Sequence, residues 1–371
     1  MGQPDDPGRA FTDNPGASVG SGDVSAWPEP LGPAAVGDAE LVERFADTVR
    51  REYLAVGFRV ALHPQTDLAT EPRWSRQSGT FGSSAEAASE PVAAYGAGCS
   101  QIIPYYGQPV GTDWEEVGFG FNRGVLTALL REPLGFTTSS AGTVPRGDRG
   151  VGIHRARPGA PDRRLRTAAA AREVRTGPLR EPYVDPDRAE ETVGASEFTA
   201  LGEAAQRGAL TVLTNHALLP PRGRPDLYVQ GVGEQAAPAY GNVVGDPADA
   251  EVAILRLRTP HEQRPGVFEC FFPEDEPKEI LRRLDTVPIL VCVNLERPAV
   301  LPEIADRAAV LMADFGASDN ALLDVAFGRA RPEGRLPFEL PRSMAAVAAS
   351  RPDVPNDTEN PVFGYGHGLA L

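Results

Sequence analysis

At 371 residues the chain is long enough for two domains with sizeable cores. A formal net charge of −15 argues against nucleic acid or an anionic membrane as the natural partner. The three cysteines, Cys99, Cys270 and Cys292, are odd in number and widely spaced, so they suggest neither a disulfide framework nor a zinc motif. No charged-then-apolar leader opens the sequence and no apolar run reaches membrane-spanning length, so a soluble, cytoplasmic protein is expected.

In chain order, residues 1–37 are rich in Gly, Pro, Ser and Asp and read as loop with little helix before Asp38. Ala39 to Leu54 carries the spacing of an amphipathic helix, and Gly57 to His63 reads as a buried strand. From about 141 to 180 the sequence is Arg, Ala, Pro and Gly with few large apolar residues, which suits a low-order segment. Asp187 to Arg207 is helical in pattern. Strands follow at 209–215, 227–232, 252–257 and 287–293, with a helical stretch from Lys278 to Leu284 between the last two. This alternation predicts a parallel or mostly parallel sheet covered by helices on both faces. Gly-x-Gly-x-x-Gly and phosphate-loop signals are absent, so nucleotide binding has little support.

The closing stretch is the most informative. Ala308 to Ala313 has strand length, Ser318 is placed to cap a helix, and Leu322, Leu323, Val325, Ala326 and Phe327 form its apolar stripe. Gly328 suits the helix end, and Pro332-Glu333-Gly334 turns the chain into an extended arm from Leu336 to Leu340. The wording Ala326-Phe-Gly-Arg-Ala-Arg-Pro-Glu-Gly-Arg-Leu-Pro-Phe-Glu-Leu-Pro341, followed by Phe363-Gly-Tyr-Gly-His-Gly-Leu369, strongly resembles the C-terminal domain of family 3 glycoside hydrolases. An earlier phrase, Pro64-Gln-Thr-Asp-Leu-Ala-Thr-Glu-Pro-Arg73-Trp74-Ser-Arg76 followed by Thr80-Phe-Gly82, resembles part of that family's barrel domain.

The resemblance implies an α/β protein in which an incomplete (β/α)8-type barrel precedes an α/β sandwich with a mostly parallel sheet. A complete barrel needs about 250 residues, and fewer than 180 precede the second domain. The expected division is a partial barrel over 1–136, the low-order segment over 137–180, and the sandwich over 181–371. The implied activity is that of a β-glucosidase-type exo-glycosidase, retaining, free of metal and cofactor, with a small glycoside or oligosaccharide as its partner.

For sugar binding the resemblance points to an arginine of the Pro-Arg-Trp phrase, Arg73 with Arg76 as the competing choice, to Tyr106, and to Asp6 near the start. A retaining glycosidase needs one carboxyl as proton donor and another as nucleophile. Glu262, in Thr259-Pro-His-Glu262, stands where the family places its acid/base loop, and Glu269 is the runner-up. In the family the nucleophilic aspartate follows a Leu-Gly-Phe phrase. Leu134-Gly-Phe136 is present, but Thr137-Thr-Ser-Ser-Ala follows it and no nucleophile is identifiable; the family's Lys-His pair is missing as well. A catalytically inactive remnant is therefore the alternative expectation.

Overall fold

The computed structural model describes residues 24–58, 64–74, 76–96, 110, 111, 113–117, 122, 124, 183–259 and 287–371. Residues up to Tyr95 and from Asp185 onward make one compact unit, and residues 96–184 make another. Among the described residues of the second unit, the amide of Gly111 donates to Glu116 Oε1 at 3.0 Å, and Asn122 Nδ2 donates to the Glu115 carbonyl at 2.7 Å.

The first unit is built on a six-stranded sheet. Its strands are β1 (Thr211–Asn215), β2 (Asp226–Gln230), β3 (Asn242–Val243), β4 (Val252–Arg258), β5 (Ile289–Asn294) and β6 (Val310–Asp314). They lie in the order β1-β6-β5-β4-β2-β3, with β1 antiparallel to β6 and every other pair parallel. The expected mostly parallel sheet is thus the one observed. Central parallel strands are covered on both faces, which is why they read as unbroken apolar runs.

Alternate residues supply the two layers. Val291 and Val293 of β5, with Leu311 and Ala313 of β6, face a core that includes Leu31, Ala69, Phe315, Leu336, Phe338 and Leu340. Leu290 and Cys292, with Val310 and Met312, face the opposite core, where Leu322, Leu323 and Val325 pack. The period of two that places these side chains follows from the pleat.

Eight α-helices are found among the described residues: α1 (Leu31–Val36), α2 (Ala39–Ala55), α3 (Ala85–Gly96), α4 (Pro186–Thr192), α5 (Ser196–Ala209), α6 (Pro302–Arg307), α7 (Asp319–Ala326) and α8 (Met344–Ala349). Ser318 caps α7 as expected, its side chain accepting from the amide of Ala321 at 3.2 Å. Two expectations need correction. The 187–207 segment is two helices rather than one, because Gly194 takes a positive φ between α4 and α5 and breaks the run. Residues before Asp38 are not all loop: α1 forms there and ends on Gly37 in the left-handed region, driven by burial of Leu31 and Ala35 in the sheet's core. The proposed strand at 57–63 and helix at 278–284 fall largely or wholly outside the described residues.

The two closing phrases lie against each other. The amide of Leu336 donates to the His367 carbonyl and Gly366 returns a bond to Leu336, both at 2.9 Å. Further along, Leu340 and Phe363 form a bridge. Leu369 then pairs with Val212, so the chain end covers the open edge of β1.

Candidate functional site

The loop from Ala69 to Ser83 carries the described part of the expected sugar-binding phrase. Its ends meet where the amide of Ala69 donates to the Gly82 carbonyl at 2.9 Å. Inside it, the Trp74 amide donates to the Glu71 carbonyl at 2.9 Å, and Gln77 Nε2 donates to the same carbonyl.

Glu71 and Arg73 form a two-pronged ion pair: Arg73 Nε meets Oε1 and Nη2 meets Oε2, each at 2.7 Å. The Arg73 amide adds a third bond to Oε1 at 2.9 Å. These Arg73 hydrogen bonds, side chain foremost, hold the Glu71 carboxyl below the usual glutamate range against the opposing effect of partial burial. Three residues after Arg73, the exposed Arg76 guanidinium sits over the Trp74 ring at 5.6 Å from its centroid. Of the two arginines in the phrase, Arg73 is committed to an internal fork while Arg76 presents its charge at the surface beside an aromatic face.

Three residues tie this loop to the sandwich. Arg297, buried just after β5, donates through Nη1 to the Arg73 carbonyl at 3.3 Å. Thr70 Oγ1 donates to the Pro352 carbonyl at 2.7 Å. Ser83 donates its amide to the Pro337 carbonyl at 2.8 Å and its hydroxyl to Asn356 Oδ1, also at 2.8 Å. Between loop and sandwich lies a narrow depression lined by Thr70, Pro72, Pro298, Phe338, Glu339 and Asn356, too small to seat a sugar ring.

A second polar cluster sits at the carboxyl ends of β4, β5 and β6. Arg256 Nη1 meets Asp319 at 2.6 Å, and Nη2 reaches both oxygens of Asp314 at 3.3 Å and the Ala317 carbonyl. Asn294 and the amides of Gly316 and Ala317 also donate to Asp314. Burial would lower the pKa of Arg256, but Asp314 and Asp319 override it and raise it. Burial and then the Asp314 charge push the Cys292 thiol up, so it is inert as a nucleophile. This cluster has its charges paired and knits three strands to α7.

Asp6, Tyr106, Glu262 and Glu269 lie outside the described residues, so among the expected site residues Arg73 and its competitor Arg76 have described positions. Glu71 and Arg297 were not singled out from sequence. The acidic residue two positions before Arg73 was a usable signal for the first; nothing local signals the second, 224 positions from its partner. Among the described residues no group of His, Cys, Asp or Glu could hold a metal ion, and no helix is long and apolar enough to cross a membrane.

Residues 191–371 match the family model described as the glycosyl hydrolase family 3 C-terminal domain. β-Glucosidase C of Emericella nidulans is 34% identical over 481 residues, spanning 98% of this chain and 78% of that protein. The periplasmic β-glucosidase/β-xylosidase of Dickeya chrysanthemi is 32% identical, spanning 98% of this chain and 76% of that protein. Among solved structures, a β-glucosidase from Listeria innocua in complex with gluconolactone superposes with a TM-score of 0.74 at 14% identity, covering 94% of this chain and 70% of that one. The first alignment spans 481 residues and this chain has 371, so at least 110 positions of the fungal protein have no counterpart here.

Proposed function

The chain belongs to glycosyl hydrolase family 3, and from that membership we propose that it is a β-glucosidase-type exo-glycosidase, hydrolysing terminal non-reducing β-D-glycosyl residues with retention. The observation that carries this reading is the 34% identity to a β-glucosidase across nearly the whole chain. The fold is α/β, with a mostly parallel sheet in the C-terminal sandwich and a truncated barrel portion before it. We divide the chain into a partial barrel over 1–136, a linking segment over 137–180 and the sandwich over 181–371.

In this reading Glu262 gives a proton to the leaving oxygen as the glycosidic bond breaks and the anomeric carbon bonds to a nucleophilic carboxylate not identified in the sequence; Glu262 then takes a proton from the water that displaces that carboxylate and releases the sugar, with Glu269 as the alternative acid/base. Arg76 and Trp74 offer a sugar a charged donor and an aromatic face, and Arg73 supports them through Glu71. Tyr106 and Asp6 complete the proposed sugar contacts. The partner is a small glycoside or oligosaccharide. The cytoplasm is the proposed location, since the three cysteines suggest no disulfide framework.

A second reading, a family member without catalysis, rests on one specific observation. The Leu134-Gly-Phe136 phrase runs into Thr137-Thr-Ser-Ser-Ala with no aspartate at the nucleophile's place. Hydrolysis of a chromogenic aryl β-glucoside by the purified chain, beside its Glu262→Gln variant, separates the two. A rate lowered at least about 100-fold in the variant supports the glycosidase, since positioned proton transfer contributes roughly 10²–10⁴-fold. Soluble, folded protein with no rate above the buffer supports the inactive member.

A further inference from the structure

We propose that Arg297, from the loop after β5, is a positioning residue that holds the Glu71–Gln77 loop, and with it Trp74 and Arg76, in the orientation that faces a sugar. This deepens the proposed function and rests on that reading of Trp74 and Arg76.

Two arginines act in series. Arg297 is 6% exposed, and a guanidinium so buried is costly unless its N–H groups find acceptors. One acceptor is the carbonyl of Arg73, at 3.3 Å. The Arg73 side chain in turn forks onto Glu71, whose carbonyl accepts from the Trp74 amide and from Gln77. A displacement at the Arg73 carbonyl therefore reaches the backbone of Trp74 through one residue and that of Gln77 through one side chain. The other anchors to the sandwich, at Thr70 and Ser83, lie toward the loop's ends, and Gln65 Nε2 holds the Arg76 carbonyl at 3.2 Å from the segment before the loop, so Arg297 is the described tie from the sandwich to the loop's middle.

Hydrogen exchange on the full-length protein, read on peptides covering 71–80, tests this. Arg297→Ala is expected to speed exchange several-fold at the Trp74 and Thr80 amides, leaving peptides from β4 to β6 unchanged. Arg297→Lys is expected to recover part of the protection, because an ammonium can still donate to the Arg73 carbonyl. Should Arg297→Ala fail to fold, Arg297→Met keeps the aliphatic stem and gives the same readout. A parallel titration with D-glucose, followed by tryptophan fluorescence, is expected to show weaker binding in Arg297→Ala than in the unmutated chain. Unchanged exchange over 71–80 overturns the proposal. So does faster exchange spread equally over the sheet, or equal exchange in the Ala and Lys variants. An unmutated chain that binds no glucose overturns the sugar-site reading, while the exchange data still decide whether Arg297 positions the loop.

Discussion

Asp324 on α7 collects two partners from distant parts of the chain. Its Oδ1 accepts from the Tyr240 hydroxyl and its Oδ2 from Arg207 Nε, each at 2.7 Å, while Arg329 lies 4.0 Å over the Tyr240 ring. Burial, then the hydrogen bond to Asp324, pushes the Tyr240 hydroxyl up to about 12. For Asp324 burial acts upward, but the Tyr240 and Arg207 hydrogen bonds prevail and hold it below the usual aspartate range. The signs are opposite. The tyrosine's contribution is complete below about pH 10, the unfolded value, and is lost as pH rises through about 12. The aspartate's contribution is complete above about pH 4 and is lost as pH falls through its lowered folded value. Tyr240→Phe is therefore expected to cost about 1 kcal/mol at neutral pH and to flatten the alkaline limb of the stability profile. Urea unfolding midpoints measured across neutral and alkaline pH check both; an alkaline limb as steep as that of the unmutated protein would remove Tyr240 from the account.

Among elements, the contact between the 69–83 loop and the Leu336–Leu340 arm turns on a glycine. Gly82 has φ +89°, and a Cβ there would lie 2.5 Å from the Pro337 carbonyl oxygen, the same oxygen that accepts from the Ser83 amide. Gly82→Ala is expected to destabilise by about 1–3 kcal/mol from backbone strain alone, with the measured loss larger if the arm separates. A urea midpoint within error of the unmutated protein would show that the contact yields freely. Gly334 serves the arm's other end, where a Cβ would meet the Ala209 carbonyl and Thr211 Oγ1. That makes Pro332-Glu-Gly-Arg-Leu-Pro337 intelligible as a close crossing as well as a turn. Such local signals explain what was legible in the sequence. Strands β4, β5 and β6 announce themselves as apolar runs, and Ser318 and Asp319 mark the start of α7. Helix α1 was illegible because Gly32 and Pro33 lie within it and its stability comes from burying Leu31 against the sheet. The loop's supports were illegible for a different reason. Arg297 and Arg73 are 224 residues apart, and Ser83 and Asn356 are 273 apart, so only the fold brings them together.

At the scale of the molecule, the described residues of 24–95 pack in one compact unit with those from Asp185 onward, although we propose them as part of the partial barrel. Leu31, Ala35 and Ala69 belong to the same core as Val291, Leu311 and Phe338. The backbone agrees: Glu29 donates its amide to the Phe315 carbonyl at 2.8 Å, and Arg335 donates to Ala35 at 2.9 Å. Helix α5 closes on the same segment, where Gly202 leaves no room for a side chain beside the Ala26 carbonyl and Gln206 Nε2 donates to that carbonyl at 2.8 Å. Glu52 of α2 accepts from the Ser25 amide and hydroxyl and from the Gly194 amide, joining the early helices to the turn between α4 and α5. A fragment beginning at Asp185 matches the family's C-terminal domain in sequence but strips these partners away. It uncovers Leu336 and Phe338 and leaves the Phe315 and Pro337 carbonyls without their donors. Such a fragment is expected to bind a hydrophobic dye and to melt well below the full chain, and adding residues 24–96 as a separate polypeptide is expected to raise its melting temperature. Calorimetry with and without that added polypeptide decides the matter. A fragment that melts like the full chain would mean that the sandwich holds its own core and that the early helices merely rest on it.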